Sequence, residues 1–364
     1  MRVLDMRRLA RAANMATGTP LPDGTLAVYL KPAAVGGNDA NGGTSWADAV
    51  ATMVYAASLT DSTTRQYILA ANPAMAYLDT MSATITKKGS VKIYGGFAGS
   101  EQYWEQRDVW NNLYRCKRNG QRAFRMDAGG SAANNIFDGI WVDGGSYSST
   151  GPAFYTGGGS TNLTLRNIKI SSVAGTTGSG VIWFNANYSG VFENIVISNC
   201  TGKGIQAGAD VIKNVLVENM TGDGIHLKGS NAISANNVTV ADCGDDGLQI
   251  VNTGGVTFRN SIFWGNNGLY DSGQQTPSFT YCDTQGGTES GGGNISSDPL
   301  FVGSGDYSLQ SGSPCNNTGS NALWSGVFGS PLAPYVTEAQ DIDLDGNTRI
   351  VNTTIDMGAY ERQT

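Results

Sequence analysis

Three successive stretches of this chain carry one pattern. They span 191–200, 211–220 and 233–243, and each sets an asparagine (Asn194, Asn214, Asn237) before two aliphatic residues in alternate places. The aliphatic pairs are Ile195/Ile197, Val215/Val217 and Val238/Val240. Ten residues past each asparagine stand a glycine and an aliphatic residue: Gly204-Ile205, Gly224-Ile225 and Gly247-Leu248. A self-similar period of 20 to 23 residues marks a solenoid, in which each unit buries its apolar face only by stacking on the next.

The residue between the paired aliphatics is free to be polar, as Lys169 and Thr239 are, which is strand alternation. Ile168/Ile170 fit the frame after Asn167, and Ile140/Val142 fit with Gly139 in the asparagine's place. Two positions before each asparagine the apolar side returns, at Leu165, Phe192, Ile212, Ala235 and Phe258. Alternation cannot turn both sets inward unless the chain bends at the asparagine. Asparagine tolerates the left-handed backbone of such a corner, and its amide can bond to its equivalent in the next coil. The expected ladder is Asn167, Asn194, Asn214, Asn237 and Asn260, with Gly139 below it. The glycine-aliphatic step gives a third strand whose inward pairs are Ile205/Ala207, Ile225/Leu227 and Leu248/Ile250. Trp183 aligns with Ala207 in this frame and is expected inside. Three short strands per coil and no helical period define an all-β chain, a right-handed, single-stranded parallel β-helix.

Four segments follow: an N-terminal arm (1–24), a cap with the first coils (25–115), the β-helix (116–296) and a C-terminal closing module (297–364). The aromatic run from Tyr94 and Phe97 through Trp104 and Trp110 is the expected cap. The formal charge of −7 excludes a nucleic-acid partner, which needs a positive footprint. No apolar run approaches the roughly 20 residues of a membrane span. The first eleven residues hold Arg2, Arg7, Arg8 and Arg11 with no apolar stretch after them, so no secretory signal is expected. Cys200 and Cys243 hold one repeat position with Met220 between them. Two rungs separate them by about 9.6 Å, beyond the roughly 7 Å reach of a disulfide. Free thiols in an apolar column are expected.

Several phrases carry a resemblance. Val28-Tyr29, Gly36-Gly-Asn-Asp39 and Gly42-Gly-Thr-Ser-Trp46 resemble the opening of secreted bacterial right-handed β-helix proteins. Ile93-Tyr-Gly-Gly-Phe97 with Arg107-Asp108 resembles their first-coil motif, and Ser297-Asp-Pro-Leu-Phe-Val302, Asp306-Tyr-Ser-Leu309 and Ser313-Pro-Cys315 their closing coils. Asp345-Gly346, Arg349 and Asp356-Met-Gly-Ala-Tyr-Glu361 are similar to the terminal signature of the polymorphic-outer-membrane-like, choice-of-anchor group. The resemblance implies the fold and a surface or extracellular setting, and no particular reaction. A β-helix with a short arm, here Leu4, Arg8 and Arg11 at helical spacing, and no export signal is similar to a phage virion spike or fibre. On that likeness residues 1–24 would attach to other virion proteins, and a homotrimer would be the assembly. The expected partner, for a spike, fibre or cell-surface adhesin, is a host or surface polysaccharide; a further reading is a purely structural virion decoration with no ligand.

Chemistry centres on the middle coils. Lys203, Asp223 and Asp246 precede the three glycine-aliphatic steps, so Asp223 and Asp246 should stack about 4.8 Å apart, with Asp245 beside them and Lys203 offsetting their charge. His226, the one histidine in the chain, lies on the same face between Gln206 and Gln249. Close carboxylates can separate an acid from a base, and a spacing of about 5–9.5 Å serves glycoside hydrolysis. Thr221-Gly-Asp223-Gly and Asp245-Asp246-Gly resemble two motifs of polygalacturonase-type hydrolases, which implies acid and base roles for Asp223 and Asp246 or Asp245. That family's Gly-His-Gly is absent, since the chain reads Asn267-Gly-Leu269, as is its later Arg-x-Lys. The competing reading is that acidic turn residues before glycine are ordinary here. A lyase would add calcium and a basic residue, and no Asp cluster with a neighbouring Arg is legible. Asp341, Asp343 and Asp345 have calcium-loop spacing, though Asn352 replaces the bidentate glutamate. No cofactor is required; calcium and a plain turn are the two readings of that motif. Tyr147, Tyr155 and Tyr188, in Gly/Ser-rich loops, are carbohydrate-binding candidates with Gln206 and Gln249.

Overall fold

The computed structural model describes residues 18–61, 63–88, 90–117, 122–127, 133–144, 152–156, 161–174, 179–184, 190–272, 275–327 and 341–363. The chain winds as an all-β, right-handed parallel β-helix with two long parallel sheets. In the 14-stranded sheet, Ala133–Asp143, Thr161–Ser171, Gly190–Ser198, Val211–Glu218 and Ile233–Ala241 follow one another rung by rung. In the 8-stranded sheet, Phe154–Thr156, Gly180–Trp183, Lys203–Ala207, Ile225–Gly229 and Asp246–Asn252 do the same. Phe192 pairs with Ile212 and Ile195 with Val215, so equivalent positions stack. Inward residues such as Ile205, Ile225 and Leu248 are 0% exposed. Burial of each such side chain is worth about 1.5–3 kcal/mol.

The strands of the larger sheet bend where the asparagines fall. Asn167, Asn194, Asn214, Asn237 and Asn260 have φ between 48° and 56°, and Gly139 takes the same corner with φ 78°. A second corner lies five residues on, at Gly144, Ser172, Asn199, Asn219, Asp242 and Gly265, all with positive φ. There the Asn219 amide donates to Asn199 Oδ1 at 2.6 Å.

The ladder at the first corner is shorter than expected and has different ends. Asn214 donates to Asn194 at 3.1 Å, Asn194 to Asn167 at 3.2 Å, and Asn167 to Asp138 Oδ1 at 2.7 Å. Asp138, the residue before the corner glycine, is therefore the foot, and Arg107 meets the same oxygen at 2.7 Å. At the top, Arg349 donates to Asn214 Oδ1. Asn237 leaves the ladder and donates to the carbonyls of Asp356 and Gly358 at 3.1 and 3.0 Å. Asn260 donates to Asn236 Oδ1 and the Ser320 carbonyl at 3.2 and 3.1 Å. The closing module brings competing carbonyls and a guanidinium to this edge, so Asn237 turns outward and Asn260 divides its amide between the rung below and the module.

The ends also differ from expectation. The short helix Met53–Ser58, capped by Thr52, adds Met53, Ala56 and Ala57 to the main core beside Leu30 and Ile68. Tyr94, Phe97 and Trp104 instead form a separate cluster with Tyr29 and Leu69, because Lys92–Phe97 is itself a rung whose alternate residues face outward. The closing module runs along the outside of the coil. Tyr307, Leu344 and Ala359 cover Leu216 and Ala241, and Leu309, Cys315 and Met357 cover Ile262. Those coil residues are apolar and point outward, so they need a cover. All five cysteines are free and buried, and burial first of all pushes the Cys200 and Cys243 thiols up to about 12.

Candidate functional site

One outward column of side chains runs along the 8-stranded sheet from rung to rung. Its register stacks Arg125 on Tyr155, Tyr155 on Trp183, Trp183 on Gln206, Gln206 on His226, His226 on Gln249 and Gln249 on Asp271. Trp183 thus belongs to the outward column opposite Gln206, and the alignment with Ala207 is overturned. Ile182 is the inward residue, paired with Ile205. Tyr155 is likewise a strand residue and no loop tyrosine, because its neighbour Phe154 packs inward against Phe124 and Phe137. Tyr147 and Tyr188 lie outside the described residues.

Aromatic and cationic groups gather at the lower end of the column. The rings of Tyr155 and Trp183 meet edge to face with centroids 5.3 Å apart. The Arg122 guanidinium lies 3.9 Å over the Tyr155 ring, Arg125 lies 5.8 Å from it, and Lys228 is 5.8 Å from Trp183. Both rings are half-buried, leaving part of each surface open.

The middle of the column is tied by Lys203. Its ammonium contacts Asp223 Oδ2 at 2.7 Å and His226 Nδ1 at 3.0 Å, and donates to Gln249 Oε1. One lysine therefore links three rungs. Since the ammonium can only donate, Nδ1 of His226 accepts and Nε2 carries the proton in the neutral ring. Burial, then Lys203 and Lys228, push His226 down to about 4, so the imidazole is neutral at pH 7. Gln206 is nearly buried and accepts from the Gly180 N–H at 3.0 Å, which commits its carbonyl to the fold.

At the upper end, one oxygen each of Asp223, Asp245 and Asp246 lies within 4.8 Å of the others. The stacking expected for these residues brings all three together. Asp223 is buried, Asp246 half-buried and Asp245 exposed. Burial first, then Asp245, Asp223 and Asp271, raise the Asp246 carboxyl above its ordinary value. Three carboxylates of this kind could hold a hard cation, but the Lys203 ammonium already contacts the buried one. A lysine, not an arginine, stands beside the cluster.

The terminal aspartates do not converge as a ligand set. Asp343 Oδ1 accepts from the backbone of Asp345 and Asn347 at 3.1 and 2.7 Å, and Oδ2 accepts from Glu361 at 3.1 Å. Asp341 accepts from the Trp324 indole at 3.0 Å. The motif is built as a turn, with Gly346 at φ 79°. Among the described residues the three-carboxylate group is the one at Asp223, Asp245 and Asp246.

Sequence reasoning missed Trp183, Arg122, Arg125 and Lys228. Aligning Val181-Ile182-Trp183 with Gly204-Ile205-Gln206 would have turned the tryptophan outward.

A family model described as a right-handed beta helix region matches residues 207–304. A solved structure, the crystal structure of pectate lyase Pel9A, aligns with 96% of this chain and 99% of that one at 15% identity and a TM-score of 0.42. No curated protein sequence matches the chain. No helix among the described residues is long and apolar enough to cross a membrane.

Proposed function

We propose that this chain binds a surface polysaccharide along the outward column of its 8-stranded sheet, as a spike, fibre or adhesin. The observation that carries the reading is the Tyr155–Trp183 pair, flanked by cations and continued rung by rung by hydrogen-bonding side chains. Aromatic faces accept the apolar faces of sugar rings, and polar neighbours meet the hydroxyls. A straight column of rungs about 4.8 Å apart suits a linear polymer. Attachment through residues 1–24 to other virion proteins, a homotrimeric assembly and a virion or cell-surface location belong to the same proposal.

A second reading is a glycoside hydrolase. The raised Asp246 carboxyl beside Asp223 and Asp245 favours it. The Lys203–Asp223 contact argues against this reading, because the ammonium already occupies Asp223 Oδ2. The two readings separate in one experiment. Titrate the chain into a panel of surface polysaccharides, measuring binding by calorimetry and new reducing ends by colour assay. Binding without cleavage, weakened at least tenfold in Trp183→Ala, is the expected result. Reducing ends that vanish in Asp223→Asn and Asp246→Asn would replace it with hydrolysis.

A further inference from the structure

A cleft of about 440 Å³ lies on the flank of the 14-stranded sheet, away from the outward column. Its floor is the outer surface of three successive rungs, where Val196 stacks on Leu216. Its walls come from distant parts of the chain. Trp110 and Leu113 follow the first-coil motif, while Tyr360 and Asp345 belong to the closing module. The two walls touch: a Cβ at Gly346 would come within 2.3 Å of Trp110 Cζ2, and Gly346 has a positive φ besides. The closing module covers Leu216 but leaves Val196 half-exposed at the bottom of the cleft.

The lining is amphipathic in a specific way. An indole and a phenol offer apolar faces above an aliphatic floor, and Glu218, Asp345 and Asn199 offer hydrogen-bonding edges. Glu218 is 5% exposed and accepts from Asn199 Nδ2 at 3.3 Å. Burial, then Asp343 and Asp306, push the Asp345 carboxyl up to about 6, although the residue's outer edge remains in solvent. An anion would face both carboxyls. A purely apolar ligand would cover the Asp345 carboxyl and give it no partner, whereas Glu218 already accepts from Asn199. A pyranose ring satisfies both sides, with C–H faces for the aromatic walls and hydroxyls for the carboxyl and amide edges. The volume falls within the range of about 300–1,000 Å³ usual for small-ligand sites.

We propose that this cleft is a second ligand site, separate from the column, that takes one neutral sugar residue between Trp110 and Tyr360. It does not depend on the column binding a polymer.

The test uses the full chain and saturation-transfer NMR with a panel of neutral methyl pyranosides, including an N-acetylated one. Transfer to at least one sugar is expected, with affinity falling at least tenfold in Val196→Phe, which fills the floor, and at least threefold in Asp345→Asn, an exposed position that tolerates the change. Melting temperatures of both variants check folding. Tyr155→Ala and Trp183→Ala should leave this binding unchanged. The proposal is overturned if no sugar shows transfer, if transfer survives Val196→Phe, or if it is lost only in the Tyr155 and Trp183 variants, which would assign the sugar to the column.

Discussion

The corner ladder and the outward column are both stacks of one side chain per coil, yet they follow opposite rules. In the ladder, Asn214, Asn194 and Asn167 are 0–8% exposed, and each donates down the stack to the next until the chain of bonds ends on Asp138. Arginines stand at both ends, Arg349 above and Arg107 below. In the column, the rungs change from aromatic to amide to imidazole, back to amide and then to carboxylate, and Lys203 bridges three of them. Burial explains the difference. Away from water an unpaired amide is costly, so the same self-complementary group recurs. Where water reaches one side, each rung is free to carry a different group, and that variety is what recognition needs.

The comparison can be broken most sharply at the ladder's ends. Arg107→Ala leaves Asp138 a buried carboxylate without its cation, at an expected cost of about 3–5 kcal/mol in urea unfolding. A loss below about 1 kcal/mol would mean that the pair behaves like a surface ion pair. Lys203→Met probes the same effect in the column. Lys203 is 15% exposed against 3% for Asp223, so water screens part of the loss and about 2–3 kcal/mol is expected, below the buried-pair range. Adding Asp223→Asn should recover most of it, and a strictly additive double mutant would refute the coupling.

Smaller effects test single rungs. Asn194→Ala removes the bonds to Asn214 and Asn167 and puts a Cβ-bearing residue without a local amide at φ 56°. About 2 kcal/mol is expected from the hydrogen bonds and the left-handed backbone together. Asn194→Gly relieves the backbone part alone, so it should cost less than Asn194→Ala; equal costs would place the whole effect in the amide.

The smallest effect is a pH slope. His226 titrates at about 4 when folded, below its ordinary 6.5. The unfolded chain therefore binds the extra proton first, and stability is lost as pH falls from about 6.5 through 4. Partial exposure limits this to about 1–2 kcal/mol. His226→Gln should flatten that slope in thermal melts. Glu361, raised to about 8 by burial and Asp356, has the opposite sign: its contribution is present at low pH and lost as pH rises from about 4.5 through 8. Glu361→Gln should flatten the fall in stability between about pH 4.5 and 8 and leave the slope below pH 4.5 unchanged. A Glu361→Gln variant that changed only the slope below pH 4.5 would contradict this assignment.

Much of the coil was legible because its signals are local. The asparagine corners, the inward aliphatic pairs and the order Gln206, His226, Gln249 follow from alternation and a recurring left-handed residue. The second corner, five residues past the first, emerged only in the structure, because its Ser, Asn, Asp and Gly members share a backbone conformation and no common side chain. Trp183 was misplaced because counting back from Gln206 and Ala207 across an irregular loop slips the register by one, and a slip of one reverses a side chain's face. The cations around Tyr155 come from another rung and from the segment before it, so no spacing along the chain announces them.

Rung order, the place of the asparagine corner and the facing of most side chains are properties of neighbouring residues, and the sequence determined them by itself. Which amide bonds to which was decided only by the tertiary structure. Asn214 and Asn237 hold the same place in the repeat, yet one accepts from Arg349, 135 residues away, and the other turns to the carbonyls of Asp356 and Gly358. Hydrogen-bond partners compete by proximity, and the winning group here is whatever the closing module lays against the corner.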